Sequence, residues 1–327
     1  MSEGFTHRPV LLDECIQALN IKPEGIYLDG TLGRAGHSRE IAKRLTIGQL
    51  ICVDRDDAAL AAAQERLAGW MDRVTLVHSN FSEIDTILGG LGLKGVDGML
   101  FDLGVSSPQL DDGSRGFSYM ADAPLDMRMD RSEGLTAADV VNTWSREELK
   151  RILAQYGEER YAPQIAAAIV RRREDKPIAT TLELVEVIKS AMPGKALREK
   201  QHPAKRSFQA IRIAVNDELA SVERMLRQAV PRLNRGGRLA VITFHSLEDR
   251  IVKNGMAAFA KGCTCPPDFP VCVCGKTPDI KLVSRKPILP TQQEIEENPR
   301  ARSAKLRVAE KLKQPTAFGL GNTNDLE

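Results

Sequence analysis

A glycine-rich loop follows the first short apolar run of the chain and offers a place where a ligand can meet the backbone. The segment from Asp29 to His37 has glycines at positions 30, 33 and 36. Glycines let the chain turn sharply and approach a ligand closely, and the N-terminus of the next helix adds N–H donors. The spacing matches neither the dinucleotide fingerprint nor a phosphate-binding P-loop. A tight strand-to-helix turn without a ligand is the alternative.

Side chains after the next two predicted strands extend this pattern. Asp54 ends the second strand, where a carboxylate accepts hydrogen bonds from both hydroxyls of a ribose. The alternative is an acidic residue that balances a helix dipole, a role that Asp56 and Asp57 can fill instead. Phe81 follows the third strand and either packs its edge on an adenine ring or belongs to the core. These features favour a nucleoside ligand, and S-adenosylmethionine fits them better than NAD.

Longer motifs link this loop to segments along most of the chain. The fourth predicted strand ends in Phe-Asp-Leu-Gly-Val-Ser-Ser-Pro-Gln, residues 101–109. The linked segments are residues 29–37, 102–112, 116–118, 124–130, 156–160, 202–203, 208–212, 244–250 and 298–303. Together they resemble the bacterial 16S rRNA (cytosine-N4)-methyltransferase family, the RsmH or MraW type, from about residue 7 to about residue 310.

The resemblance implies a fold, a cofactor and a reaction. The implied fold is α/β, a class I S-adenosylmethionine-dependent methyltransferase with a Rossmann-like sheet and an inserted all-helical domain. The implied reaction methylates the exocyclic N4 of a cytidine in the decoding centre of 16S rRNA, within the small ribosomal subunit, and the family suggests a homodimer. The cofactor contacts that carry over are Ala35, Gly36, His37, Asp54, Phe81, Asp102 and Gln109.

The cytosine amine determines what the residues around it must do. Its lone pair is delocalised into the ring, so acceptors for its two protons are needed to turn the lone pair toward the methyl group. We expect Asp102, as the catalytic residue, and nearby backbone carbonyls to supply them. Many amino-methyltransferases continue with Pro-Pro and an aromatic residue, whereas this chain has Leu-Gly-Val at 103–105. A stacking aromatic is therefore expected at Phe117 or Tyr119, and Asp102 could instead serve the cofactor alone.

Basic residues concentrate in three segments, at 171–173, at 198–206 and between 300 and 307. Such runs suit a phosphate backbone, although each could be only a solvated face. Arg206 ends the second run and is a candidate substrate contact. His245 follows a late predicted strand; it could act as a general base, but orienting its neighbours or touching RNA is the favoured role.

Four of the six cysteines lie close together in the chain. They are Cys263, Cys265, Cys272 and Cys274. Four thiolates are enough for a tetrahedral structural zinc site, although pairs one residue apart are less typical than pairs two apart. Reduced thiols packed in a loop are the alternative. Catalysis is not expected to depend on these cysteines.

The elements that must position these residues follow from apolar periodicity. Repeated strand–helix units predict a parallel sheet with helices on both faces and ligands at the carboxyl ends of its strands. Strands are predicted at 26–29, 50–54, 74–77 and 96–103, with helices at about 37–45 and 56–67.

The pattern becomes helical after residue 111. Capping boxes at 145–148 and 180–183 and an Ala-rich stretch at 164–173 predict helices. One long helix is predicted at 207–233, followed by a strand at 238–244 and an edge strand at 305–309. We therefore predict a discontinuous methyltransferase domain at 1–112 and 206–313, a helical insertion for substrate recognition at 113–205, and a disordered tail at 314–327.

Composition limits the remaining function classes. The 327 residues carry a formal net charge of +2, so any nucleic acid must be met by a local patch rather than by a global polycation. No apolar run approaches the roughly 20 residues that span a bilayer, and the first residues lack the features of a signal peptide. We expect a soluble cytoplasmic enzyme. Two other functions are left open: an amino-methyltransferase of another nucleic acid, and a ribosome-assembly factor with incidental turnover.

Overall fold

The structure is a computed structural model that describes residues 9–132, 134–266, 269–271 and 273–315. The chain divides into two compact units, residues 1–103 with 221–327 and residues 104–220. The boundaries expected from sequence were 112 and 205, and Phe208 and Ile211, which follow the second of these, pack in the helical core. From residue 316 onward, the predicted disordered tail lies outside the described residues.

The first unit is built on one sheet with the strand order β3-β2-β1-β4-β5-β7-β6. Strands β1 to β5 are parallel, whereas β7 runs antiparallel to both β5 and β6. The predicted strands are confirmed, although β5 begins earlier than the pattern indicated. The strands are β1 Ile26–Asp29, β2 Gln49–Asp54, β3 Val74–His78, β4 Val96–Asp102, β5 Leu233–Thr243, β6 Ile280–Leu282 and β7 Lys305–Lys311.

Both faces of this sheet are buried, which explains why its strands read as continuous apolar runs. Successive side chains of a strand point to opposite faces. In β4, Leu100 packs into one core cluster while Met99 and Phe101 pack into the other. The helices that belong to this unit are α1 Leu12–Leu19, α2 Gly36–Ala42, α3 Asp57–Arg66, α4 Ile84–Gly90, α12 Ser246–Ala260 and α13 Gln292–Glu297, and α11 Glu218–Arg232 enters it from the second unit.

The second unit is helical and has a hydrophobic core of its own. The capping boxes predicted at Ser145 and Thr180 are confirmed, since each side chain accepts from the backbone N–H three residues later. Its helices are α5 Ser107–Asp111, α6 Ala137–Thr143, α7 Arg146–Gln155, α8 Ala162–Asp175, α9 Thr181–Ser190 and α10 Lys205–Asn216.

The single helix predicted at 207–233 is wrong. Asp217 lies in the left-handed region with φ 48°, which ends α10 at Asn216 and lets α11 begin at Glu218. Apolar periodicity continues across the break, so it gave no sign of a new helix. None of the helices in the described part of the chain is long and apolar enough to cross a membrane.

Candidate functional site

Three acidic residues end three adjacent strands of the first unit. Asp29, Asp54 and Asp102 are the last residues of β1, β2 and β4, and β1 lies between the other two. Because the three strands are parallel, their carboxyl ends share one edge of the sheet. This edge is where open α/β sheets bind ligands.

The glycine-rich loop after β1 is folded against this edge. Gly33 has φ 49°, a left-handed conformation that glycine adopts at little cost. Its N–H donates to Asp54 Oδ2 over 2.8 Å, and Asp56 N–H donates to Asp54 Oδ1 over 3.0 Å. Among the described residues, a Cβ at Gly33 would have Thr31 O, at 3.9 Å, as its one neighbour within 4 Å. The loop therefore leaves open space next to a carboxylate.

Gly30 is required for a different reason. A Cβ at this position would lie 2.2 Å from the Phe101 ring, which fills the space below the loop. The Phe101 ring also meets Phe81 edge-to-face, with 6.0 Å between the centroids. Phe81 follows β3 and is half-buried, so it lies at the same edge of the sheet as the loop.

Asp29 organises the loop, although sequence reasoning did not single it out as a site residue. It is 1% exposed, and its carboxylate accepts from Thr31 N–H at 3.1 Å and from Ser38 Oγ at 2.6 Å. Burial raises the pKa of Asp29, and the two hydrogen bonds oppose that rise. Thr31 Oγ1 in turn accepts the N–H of Asp102. In the sequence, the polar residues Thr31 and Ser38 in and next to the glycine-rich loop were the indication that Asp29 has hydrogen-bond partners there.

Asp102 is the side chain with unused hydrogen-bonding capacity at this edge. Its Oδ1 is buried and has no hydrogen-bond partner among the described residues, while 27% of the side chain remains exposed. Burial, followed by repulsion from Asp29 and Glu248, raises its pKa to about 8. The carboxyl group is therefore mostly protonated at neutral pH unless a cation lies beside it.

His37 faces Asp102 with a defined tautomer. Its Nε2 lies 3.0 Å from the carbonyl oxygen of Val10, which can only accept, so Nε2 carries the proton. Burial lowers the pKa of His37 to about 4, and the ring is neutral at pH 7. Its Nδ1 therefore presents a lone pair, 3.9 Å from Asp102 Oδ2.

His245 caps a helix in the first unit. Its Nδ1 accepts from Glu248 N–H at 3.4 Å, and Glu248 Oε2 accepts from His245 N–H at 3.4 Å, which completes a capping box for α12. Its Nε2 lies 3.1 Å from Glu248 Oε1, without hydrogen-bond geometry. The ring of His245 thus contacts the first turn of α12.

The remaining predicted ligand contacts lie in the second unit. Gln109 is buried and its Oε1 accepts from Ser106 N–H. Phe117 is 6% exposed and packs in the helical core, so its ring faces are not open to a base. Tyr119 is half-buried and stacks on His202, with 4.6 Å between ring centroids. Arg206 is exposed and donates to Glu158 O at 3.2 Å.

Part of one of the three basic runs forms ion pairs within the protein. Arg307 Nε donates to Asp249 Oδ1 at 2.7 Å and Lys305 Nζ to Asp249 Oδ2 at 3.2 Å. Arg307 is only 12% exposed, so it is a poor candidate for a phosphate contact. Similarly, Arg173 in the first run donates to Val141 O.

The cysteine segment lies apart from these residues in the chain, between α12 and β6. The sulfur atoms of Cys263, Cys265 and Cys274 lie within 4.8 Å of one another. Cys272, the fourth predicted ligand, lies outside the described residues.

The residues of the sheet edge fit a nucleoside cofactor that carries a positive charge. Asp54 uses two of its roughly four acceptor positions for backbone N–H groups, which leaves room for ribose hydroxyls. Asp102 Oδ1 offers a buried acceptor that lacks a partner in the described residues. The strand order, the glycine loop and these carboxylates define a class I S-adenosylmethionine-dependent methyltransferase.

Comparison with known proteins gives the family. The MraW methylase family matches residues 4–312, so the chain belongs to it. The chain is 60% identical to the ribosomal RNA small subunit methyltransferase H of Brevibacillus brevis, over 94% of this chain and 99% of that one. It is 59% identical to the protein of the same name from Paenibacillus sp., over 94% and 100%. Identity to that of Geobacter sp. is 55%, over 95% and 100%.

Proposed function

We propose that the chain transfers a methyl group from S-adenosylmethionine to N4 of a cytidine in the decoding centre of 16S rRNA. One observation carries the chemistry, namely the buried acceptor of Asp102, next to the glycine loop. The names of the relatives, ribosomal RNA small subunit methyltransferases, support the substrate class.

In this proposal, Asp102 accepts a hydrogen bond from the exocyclic amine of the cytosine. When bound, S-adenosylmethionine supplies a methyl group on a cationic sulfur. A cation near Asp102 lowers the pKa of its carboxyl group from about 8 and makes it an acceptor. Its Oδ1 then accepts an N4–H and turns the nitrogen lone pair outward. N4 loses one proton in the reaction, and Asp102 takes it up, with the neutral Nδ1 of His37 facing Oδ2 at 3.9 Å.

The cofactor contacts divide by role. Asp54 accepts the ribose hydroxyls, and Phe81 packs on the adenine ring. The backbone of Ala35, Gly36 and His37 lines the loop, where Ala35 has φ 57°. Gln109 is proposed as a further contact, supported by the resemblance to the family.

Substrate recognition is proposed for the helical unit. Tyr119 is the accessible aromatic residue for base stacking, since Phe117 is in the core. Arg206 is proposed to contact a phosphate, and His245 to hold the start of α12. The methyltransferase domain, expected from sequence at 1–112 and 206–313, is proposed to correspond to the sheet unit, residues 1–103 with 221–327. The target base would be splayed from its stack and recognised within an assembled particle. The homodimer stays a prediction.

Methyl transfer from labelled S-adenosylmethionine to unmodified small subunits and to naked rRNA tests this proposal. Nucleoside mass spectrometry should find N4-methylcytidine at a single site, with more product from the particle. Transfer to neither substrate would contradict it. Turnover on another nucleic acid would then favour a different amino-methyltransferase, and cofactor binding with no turnover would favour an assembly factor.

A further inference from the structure

The segment between α12 and β6 has no hydrophobic core of its own in its described residues. Its described residues from 261 to 279 form no helix or strand, and none of them is buried. Val271 and Val273 are 70% and 73% exposed, so its apolar side chains point outward instead of forming a small core. Ordering a backbone costs about 1–2 kcal/mol per residue. Another interaction must offset this cost.

The sulfur atoms have the separation that a metal ion would impose. Cys274 Sγ donates a hydrogen bond to Cys263 Sγ over 3.7 Å, and Cys265 Sγ lies within 4.8 Å of both. Two thiolates on a tetrahedral zinc ion, with Zn–S bonds of about 2.3 Å, stand about 3.8 Å apart. A disulfide would bring the two sulfurs to about 2.05 Å. The observed separation matches shared coordination and not a cross-link.

Backbone N–H groups of the same loop point at each of these sulfurs. Cys263 Sγ accepts from the N–H of Cys265, Cys265 Sγ from the N–H of Val273, and Cys274 Sγ from the N–H of Thr264, each over 3.4 Å. Hydrogen bonds of this kind orient metal ligands and stabilise negative charge on sulfur. The loop is therefore folded around its sulfur atoms.

We infer that Cys263, Cys265 and Cys274 form a structural zinc site that holds this loop together. Thiolates select a soft or borderline ion, and tetrahedral sulfur coordination is typical of zinc. Each coordinating thiol releases its proton to solvent when the ion binds. A tetrahedral site takes a fourth donor; Cys272 is near in sequence but outside the described residues, and the inference rests on the other three. The site is independent of methyl transfer.

Zinc content of the full chain tests the inference directly. Protein purified without chelator and without a metal-affinity column should contain about one zinc ion per chain by mass spectrometry. Cys263→Ser and Cys274→Ser should lose most of it. Cys15→Ala is the matched control, because Cys15 is a buried cysteine of α1 and should not affect the zinc content. Zinc-free wild-type protein, or serine variants that retain full zinc, would overturn the inference.

Two further measurements keep the test decisive if the serine variants fail to fold. Cobalt exchanged into the wild-type protein should show a thiolate-to-cobalt charge-transfer band in the near ultraviolet, and its absence would contradict the site. Removal of zinc by a chelator should speed tryptic cleavage at exposed Lys276 several-fold. Finding a Cys263–Cys274 disulfide in wild-type protein under non-oxidising purification would also overturn the inference.

Discussion

Asp102 in the sheet unit and Tyr119 in the helical unit are held in place in opposite ways. The backbone of Asp102 is fixed by the ladder of β4 and by Thr31, and its carboxyl group is largely enclosed. Tyr119 is placed by side-chain packing, stacked on His202 and edge-to-face with Phe208 at 5.7 Å. The position of the proposed acceptor Asp102 thus depends on backbone geometry, whereas the proposed stacking role of Tyr119 depends on how far packing leaves its ring accessible.

The largest effect is expected at Asp102. Asp102→Ala should lower methyl transfer by about 10²–10⁴-fold, because the amine loses its acceptor. Asp102→Asn, which keeps the shape without the charge, should be similarly slow. Single-turnover rates at saturating cofactor separate this from a binding defect. Normal turnover at saturation with a raised KM for the cofactor would show that Asp102 serves the cofactor alone.

A substitution of Tyr119 in the helical unit should affect RNA binding rather than cofactor binding. Tyr119→Ala should weaken RNA binding by about 1–3 kcal/mol, the value of one stacked base, with cofactor affinity unchanged. Tyr119→Phe keeps the ring and should bind RNA as the wild type does. Equal RNA affinity of the alanine and phenylalanine variants would refute the stacking role.

Gly30 tests how tightly the sheet edge is packed. Gly30→Ala should destabilise the protein by about 1–3 kcal/mol, since the new Cβ overlaps the Phe101 ring at 2.2 Å. The matched control is Gly89→Ala in α4, where a Cβ meets no atom of the described residues within 4 Å, so stability should be unchanged or higher. Urea denaturation measures both, and equal unfolding free energies for the two variants would contradict the packing argument.

The smallest effect is a pH dependence of cofactor binding. Asp102 is neutral below its pKa of about 8 and charged above it, so affinity for the cationic cofactor should rise from about pH 6 to about pH 8 and then level off. The rise should be no more than about tenfold per pH unit. Calorimetry in buffers of different ionisation enthalpy should detect proton release, and Asp102→Asn should show none.

The raised pKa of Asp102 also predicts how the folding stability of the cofactor-free protein changes with pH. The pKa of Asp102 is raised from 3.8 to about 8 on folding, so folding favours the protonated carboxyl group. Its contribution to stability is complete below about pH 4 and is lost as the pH rises through about 8. An unchanged pH profile of stability in Asp102→Asn would count against this pKa.

Sequence by itself determined the sheet unit well. Short continuous apolar runs predicted β1, β2, β3 and β4 to within a residue or two of their observed bounds. It also placed Asp54 and Asp102 at the edge, because parallel strands bring their carboxyl ends together. The capping boxes at Ser145 and Thr180 were equally clear, since a cap is a local contact across three residues.

Only the tertiary structure decided the rest. The break at Asp217 interrupts a pattern that sequence presents as continuous. Phe117 and Tyr119 are two residues apart, yet one is buried in the core and the other is accessible. The pKa of Asp102 depends on burial and on Asp29 and Glu248, which are distant in the chain. Such properties arise from neighbours that folding brings together, and no local pattern of residues encodes them.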